Sequence, residues 1–263
     1  MAFRQPVRQA KLRPMQKSAE RMDHLLSRLG YCSRSEVRDL LREGRVRVAG
    51  ELLRKASARV NAAEVWVDEE PIDHPHAFYL LYHKPLGKVC AHDDPRAIYQ
   101  DFPLRWRYRR PALSSVGRLD RETSGVLLLT DDGDWLHHWT SPRRAIPRVY
   151  RVTLQEPLRS DAANILAAGT LMLDGEDTPC RPAALHRLTE REVLLTLTEG
   201  RYHEVRRMFA ALDNLVLTLH REAYGPFLLD DLPAGRGGQF PPGFRGQPPA
   251  AAFHQGPSGR QAD

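Results

Sequence analysis

The residues best suited to chemistry lie in one short polar run, Val116-Gly117-Arg118-Leu119-Asp120-Arg121-Glu122-Thr123-Ser124-Gly125, which feeds the apolar segment VLLLT. Two glycines bracket the run, and Asp120 stands between Arg118 and Arg121. A neighbouring cation favours the ionised carboxylate, the form a nucleophile requires. The same pattern suits an aspartate in a structural turn or ion pair, and residue chemistry alone leaves both readings open. Glu122 lies only two positions on, which does not establish the paired geometry of glycosidic hydrolysis. Other chemistries lack their residues. The sequence has no phosphate-binding glycine loop ending in Gly-Lys-Ser/Thr, no strand-linked G-x-G-x-x-G and no G-x-S-x-G. His203-Glu204 opens H-E-V-R-R without the second histidine of a zinc protease. His137 and His138 are neighbours on an expected helix, so they point about 100° apart and do not form a chelating pair.

The elements that must position this run follow from periodicity. RMDHLLSRLG reads as an amphipathic helix with Met22, Leu25, Leu26 and Leu29 inward. Ser33 and Glu36 form a capping box for a second helix that Gly44 ends, and VRVAGELL reads as strand, turn and strand. PIDHPHA then reads as a linker. Between 78 and about 229, FYLLYHKP, VLLLTDDG, RVYRVTL and EVLLTLTEG are strand-like, while DWLHHWTS, DAANILAAG and HEVRRMFAALDN are helix-like. Strand-rich with few helices implies an α+β fold on a mixed or antiparallel sheet.

The chain has 263 residues, a length that suggests two domains. No apolar run reaches the ~18 residues of a membrane span. The three cysteines, Cys32, Cys90 and Cys180, are odd in number and widely spaced, which argues for a reducing compartment rather than a disulfide framework. Net charge is +6, and 34 of the 39 basic residues are arginine, the side chain whose planar fork suits phosphates and bases. Between Arg28 and Arg59 the bases outnumber the acids. Arg34, Arg38 and Arg42 recur every four residues, on one helix face, and Arg45 and Arg47 continue that surface. With Arg28 they form a candidate RNA-binding set. RWRYRRP and SPRRAIPRVYR add further clusters.

Several segments resemble known families. LLSRLGYCSRSEVRDLLREGRVRVAGELLRKASARV resembles the small RNA-binding domain first seen in ribosomal protein S-four. GRLDRETSGVLLLTDDGD resembles the active-site motif of pseudouridine synthases, in the branch that acts on ribosomal RNA at single sites. YHKPLGKVCAHDD is similar to that family's K-P-x-G motif, RVYRV to the motif carrying its tyrosine, and EGRYHEVRRMF to its last motif. The resemblance covers about residues 21–230. It implies an S-four-like domain of small α/β type (21–73) and a mixed-sheet catalytic domain (78–230), while composition reads 1–20 as a basic flexible arm and 231–263 as a Pro/Gly-rich flexible tail.

What the resemblance implies for single residues is specific. Asp120 falls on the catalytic aspartate, Arg206 on the basic residue that ion-pairs with it, and Tyr150 on the tyrosine that stacks against the target base. Arg118 falls on the arginine that fills the gap left by the extruded nucleotide, and Val205 on a small residue under the uracil. Lys84 belongs to the substrate-side set, shaping the site rather than reacting. The implied reaction converts uridine to pseudouridine and needs neither cofactor nor metal. TSPRRAIPRVYRVTL and the run from Glu199 to Glu222 are most similar to the small-subunit (16S) rRNA branch, with 23S rRNA as the alternative. A non-catalytic ribosome-assembly factor is the competing class, and the intact set Asp120, Tyr150 and Arg206 argues against it. The expected partner is ribosomal RNA or an assembling ribosomal subunit, met by a cytoplasmic monomer without a membrane.

Overall fold

A computed structural model describes residues 19–240. The expected basic arm, apart from its last two residues, and the tail beyond 240 lie outside them. The chain divides into two compact units between His76 and Ala77.

In the first unit, β1 (Glu20–Arg21) leads into α1 (Met22–Arg28), followed by α2 (Val37–Arg42), β2 (Val46–Val48), β3 (Glu51–Leu52), β4 (Arg59–Val60), β5 (Val65–Val67) and β6 (Glu70–Pro71). Met22, Leu25, Leu26 and Leu29 are fully buried, as their spacing requires. The capping box forms reciprocally: Ser33 N–H donates to Glu36 Oε2 (2.7 Å) and Glu36 N–H to Ser33 Oγ (3.4 Å). β2 and β3 close through Ala49-Gly50, both at positive φ, the left-handed conformation a two-residue hairpin demands. The sheet order is β3-β2-β5-β6, with β1 paired to β4.

The second unit is built on a nine-stranded mixed sheet. Its elements are β7 (Tyr79–Lys84), α3 (Leu104–Arg107), β8 (Ser114–Val116), β9 (Thr123–Thr130), α4 (Gly133–Thr140), β10 (Arg148–Leu154), α5 (Ala162–Ala168), β11 (Ala184–Arg187), β12 (Glu192–Leu197), α6 (Glu204–Ala210), β13 (Val216–Tyr224), β14 (Phe227–Leu228) and β15 (Gly237–Gln239). The strand order is β11-β12-β10-β13-β9-β7-β15. Two antiparallel halves meet at a parallel join between β13 and β9, in register Leu219↔Thr123, His220↔Ser124 and Arg221↔Gly125. At that join the backbones approach so closely that a Cβ on Gly125 would lie 2.2 Å from Arg221 O. α5 and α6 cover one half of the sheet through Leu166, Met208 and Phe209, and α4 contributes Trp135 and Trp139 to a separate aromatic cluster.

One expectation needs correction here. The tail does not become irregular at 231, because Gly237–Gln239 form β15 on the edge of β7. A Cβ on Gly237 would meet Leu80 at 2.9 Å, so the glycines that suggested flexibility are what permit this approach.

Candidate active site

Asp120 lies in the loop that enters β9 and lines a cleft of about 620 Å³ in the second unit. The loop is held through its backbone. Cys90 Sγ donates to Leu119 O (3.5 Å), Lys84 Nζ to Asp120 O (2.9 Å), Gly87 N–H to Arg121 O (2.9 Å), Arg206 Nη2 to Glu122 O (3.1 Å) and Lys84 Nζ again to Thr123 O (2.8 Å). Every carbonyl from 119 to 123 therefore has a donor, and the segments bearing K-P-x-G and H-E-V-R supply all five of these bonds. Such support fixes a reacting group within the tolerance catalysis needs. The Asp120 carboxylate itself stays partly open, with Oδ1 3.5 Å from His203 Nε2.

Two expected roles change. Lys84 does not face the cleft. It is fully buried, and its third proton goes to Pro85 O (3.1 Å), so all three donors are used on backbone. Burial pushes its amine down to about 8. Arg206 does not ion-pair with Asp120. Its other arm donates to Val216 O (3.0 Å), so its guanidinium ties the Asp120 loop to the start of β13. Arg121 likewise pairs with Glu122 (2.6 Å) rather than with Asp120.

The remaining expected residues share the cleft. Arg118 is exposed beside Asp120, Tyr150 projects from β10 against the neighbouring cores, and Val205 lies buried in the first turn of α6. Arg148 lines the same wall, donating to Glu199 O (2.9 Å) and lying over the Tyr224 ring. Sequence reasoning missed Arg221. It is 1% exposed at the cleft floor, donates from Nε to Val126 O (2.7 Å), and packs its guanidinium on Tyr224. Its Nη2 has no partner among the described residues.

The loop that closes the cleft runs from Glu199 to Glu204. Glu204 Oε2 accepts from Arg201 N–H (3.0 Å), and its buried Oε1 meets no donor. Burial raises the Glu204 carboxyl to about 7, and a proton retained there is shared with Glu199. Burial also acts on Glu199, but Arg181 N–H (2.6 Å) and Arg201 Nε (3.2 Å) outweigh it and keep that carboxylate low. Cys180 with these two acids is the one group of possible metal ligands close enough to converge among the described residues. Both oxygens of Glu199 are already engaged by those donors.

In the first unit a second cleft, of about 670 Å³, is lined by Arg21, Arg34, Arg38, Arg42, Arg54 and Lys55, with Asp23 as its one acid. The hydrogen bond from Arg21 holds Asp23 far below the usual carboxylate range. The expected RNA-binding set is thus only partly brought together. Arg34, Arg38 and Arg42 share the cleft, whereas Arg28 is turned to Glu20 (3.0 Å) and Pro75 O (3.0 Å), Arg45 to Asp68 (2.6 Å), and Arg47 to Gly50 O (3.1 Å). Acids and carbonyls within reach of those three compete for the guanidinium. In the RWRYRRP cluster Arg109 is likewise structural, buried in a 2.6 Å ion pair with Asp131.

A carboxylate presented on a pinned loop at the join of a mixed sheet, in a chain whose N-terminal unit is S-four-like, places the chain in a class. The chain belongs to the RNA pseudouridylate synthase family, which it matches over residues 78–211, and residues 20–67 match the S4 domain. It is accordingly an isomerase of RNA uridine. It is 41% identical over 217 residues to ribosomal small subunit pseudouridine synthase A of Pasteurella multocida (strain Pm70), covering 80% of this chain and 91% of that relative. The protein of the same name from Escherichia coli (strain K12) is 39% identical over 222 residues, 82% of this chain and 94% of its own length. A solved structure described as a crystal structure of pseudouridylate synthase aligns with a TM-score of 0.58 at 36% identity, over 84% of this chain and 95% of that one.

Proposed function

We propose that this chain converts one uridine of small-subunit (16S) ribosomal RNA to pseudouridine, with Asp120 as the catalytic carboxylate. The observation that carries the reading is the Asp120 loop, whose carbonyls from 119 to 123 are all bonded while its carboxylate faces the cleft. In the reaction the bond from uracil N1 to ribose C1′ breaks, the base turns, C5 bonds to C1′, and the proton on C5 is lost as N1 gains one. Asp120 is the group that meets the reacting nucleotide. Tyr150 offers a ring to the base, Val205 an apolar wall, and Arg118 fills the space the nucleotide vacates on leaving its stack. Extruding the nucleotide costs a few kcal/mol, which phosphate contacts offset. Arg206 and Lys84 act through the loop they hold. Arg221 sets a buried positive charge beneath the base, where it stabilises negative charge developing on the uracil.

The substrate assignment rests on the relatives named for the small ribosomal subunit. The cleft of the first unit, with Arg38, Arg54 and Lys55, supplies a phosphate-binding surface for the same RNA. The chain acts as a cytoplasmic monomer, and among the described residues no helix is long and apolar enough to cross a membrane. The test is tritium release from 16S and 23S transcripts carrying uridine tritiated at C5, both free and in partly assembled particles. Release from a 16S substrate alone is expected. Release from 23S alone would keep the chemistry and overturn the substrate.

A further inference from the structure

The geometry points to Tyr202 as a base-stacking residue: a platform at the cleft rim for a nucleobase next to the target uridine, backed by His203. This inference rests on the synthase reading above. Tyr202 is 77% exposed and lines the cleft that holds Asp120. Its ring lies nearly parallel to that of His203, with centroids 3.9 Å apart and planes 16° apart. His203 Nε2 in turn stands 3.5 Å from Asp120 Oδ1. One ring face of Tyr202 is thus covered by imidazole, and the high exposure leaves the other to solvent.

The loop carrying the two rings is rigid where it is anchored. Arg201 donates to Thr178 O (2.8 Å), Pro179 O (2.6 Å) and Glu199 Oε2 (3.2 Å), while its N–H is held by Glu204. His203 adopts φ +48°, a left-handed conformation that costs a non-glycine residue energy and that the surrounding bonds maintain. A merely structural tyrosine on such a loop would gain by folding its ring onto the protein. This one is held outward instead. A flat, exposed π face on a cleft that Arg118 and Arg181 also line fits a nucleobase with its phosphates, since every base has a face to stack and aromatic platforms accept bases without reading sequence.

The test compares wild type, Tyr202→Phe and Tyr202→Ala by tritium release from C5-tritiated 16S transcript or particle, whichever the wild type turns over, with kcat and KM resolved. Tyr202→Ala is expected to raise KM about five- to a hundredfold, the range one stacked base supplies, with kcat within about twofold of wild type. Tyr202→Phe, which keeps the ring, is expected to restore KM to within about twofold. Unchanged KM in Tyr202→Ala, or a loss confined to kcat, would overturn the platform. Failure of Phe to rescue would overturn it too, by showing that the hydroxyl and not the ring is used. A wild-type chain that releases no tritium from any substrate would overturn the synthase reading itself, and this inference with it.

Discussion

Lys84 shows how a charged residue serves a site without touching substrate. Its ammonium has three protons and three carbonyl acceptors, two of them in the Asp120 loop. The loop was legible in the sequence because two glycines bracket a polar run before an apolar strand, and the family resemblance then singled out Asp120. The partners were not legible, since Lys84 and Arg206 bond to backbone, and residue types carry no sign of that. The family resemblance implied a side-chain ion pair between Asp120 and Arg206 where the fold uses carbonyls. Glu204 gives a measurable consequence at this scale. Its carboxyl is raised towards about 7 in the folded chain from an ordinary value of 4.5, so between those values the folded state holds a proton the unfolded state has lost. Glu204's contribution to stability must fall as pH rises through that window, by at most about 1.4 kcal/mol per unit. Glu204→Gln keeps the acceptor for Arg201 N–H and supplies a permanent donor for Glu199. Urea midpoints from pH 4.5 to 8 should show the falling limb flattened in the variant and its stability above wild type at pH 8. Parallel curves would contradict the shared proton.

At the scale of elements, the strands with clean alternation or long apolar runs were readable, and β9, β10 and β12 lie where their patterns place them. β13 was not readable as a strand, although it is the centre of the sheet. His220, Arg221 and Glu222 interrupt its apolar pattern, and Arg221 is buried there only because Val126 O and the Tyr224 ring receive it. β15 was hidden for the opposite reason, in a stretch whose glycines read as loop. Gly125 marks the parallel join, at φ +117° and with no room for a Cβ. Gly125→Ala must separate β9 from β13 or distort both. Expected is a destabilisation of about 3 kcal/mol or more, together with lost turnover, because the Asp120 loop feeds the displaced strand. Thermal melts alongside activity would show it, and a variant with wild-type melting and turnover would contradict the close approach.

Across the whole molecule, positive charge is spread through the sequence but sorted by the fold. Many arginines that looked available are paired internally, among them Arg28, Arg45, Arg109 and Arg151. The cleft of the first unit keeps Arg38, Arg54 and Lys55 at its surface. Arg54 and Lys55 come from the segment after the hairpin, so helical spacing, which selected Arg34, Arg38 and Arg42, had no means to add them. If this cleft holds phosphates, Arg38→Ala and Lys55→Ala should each weaken binding to ribosomal RNA transcripts without regard to sequence. Each should also lower the slope of log affinity against log salt by about 1. An unchanged slope would remove the cleft from the RNA interface. The central claim is that the Asp120 carboxylate does the chemistry on a bound uridine, and one measurement meets it directly: tritium release from C5-tritiated 16S substrate by wild type and Asp120→Ala, with RNA affinity measured on the same samples. Predicted is release by the wild type and none above background by Asp120→Ala, at an affinity within about twofold. Release by Asp120→Ala at a rate near wild type would contradict it.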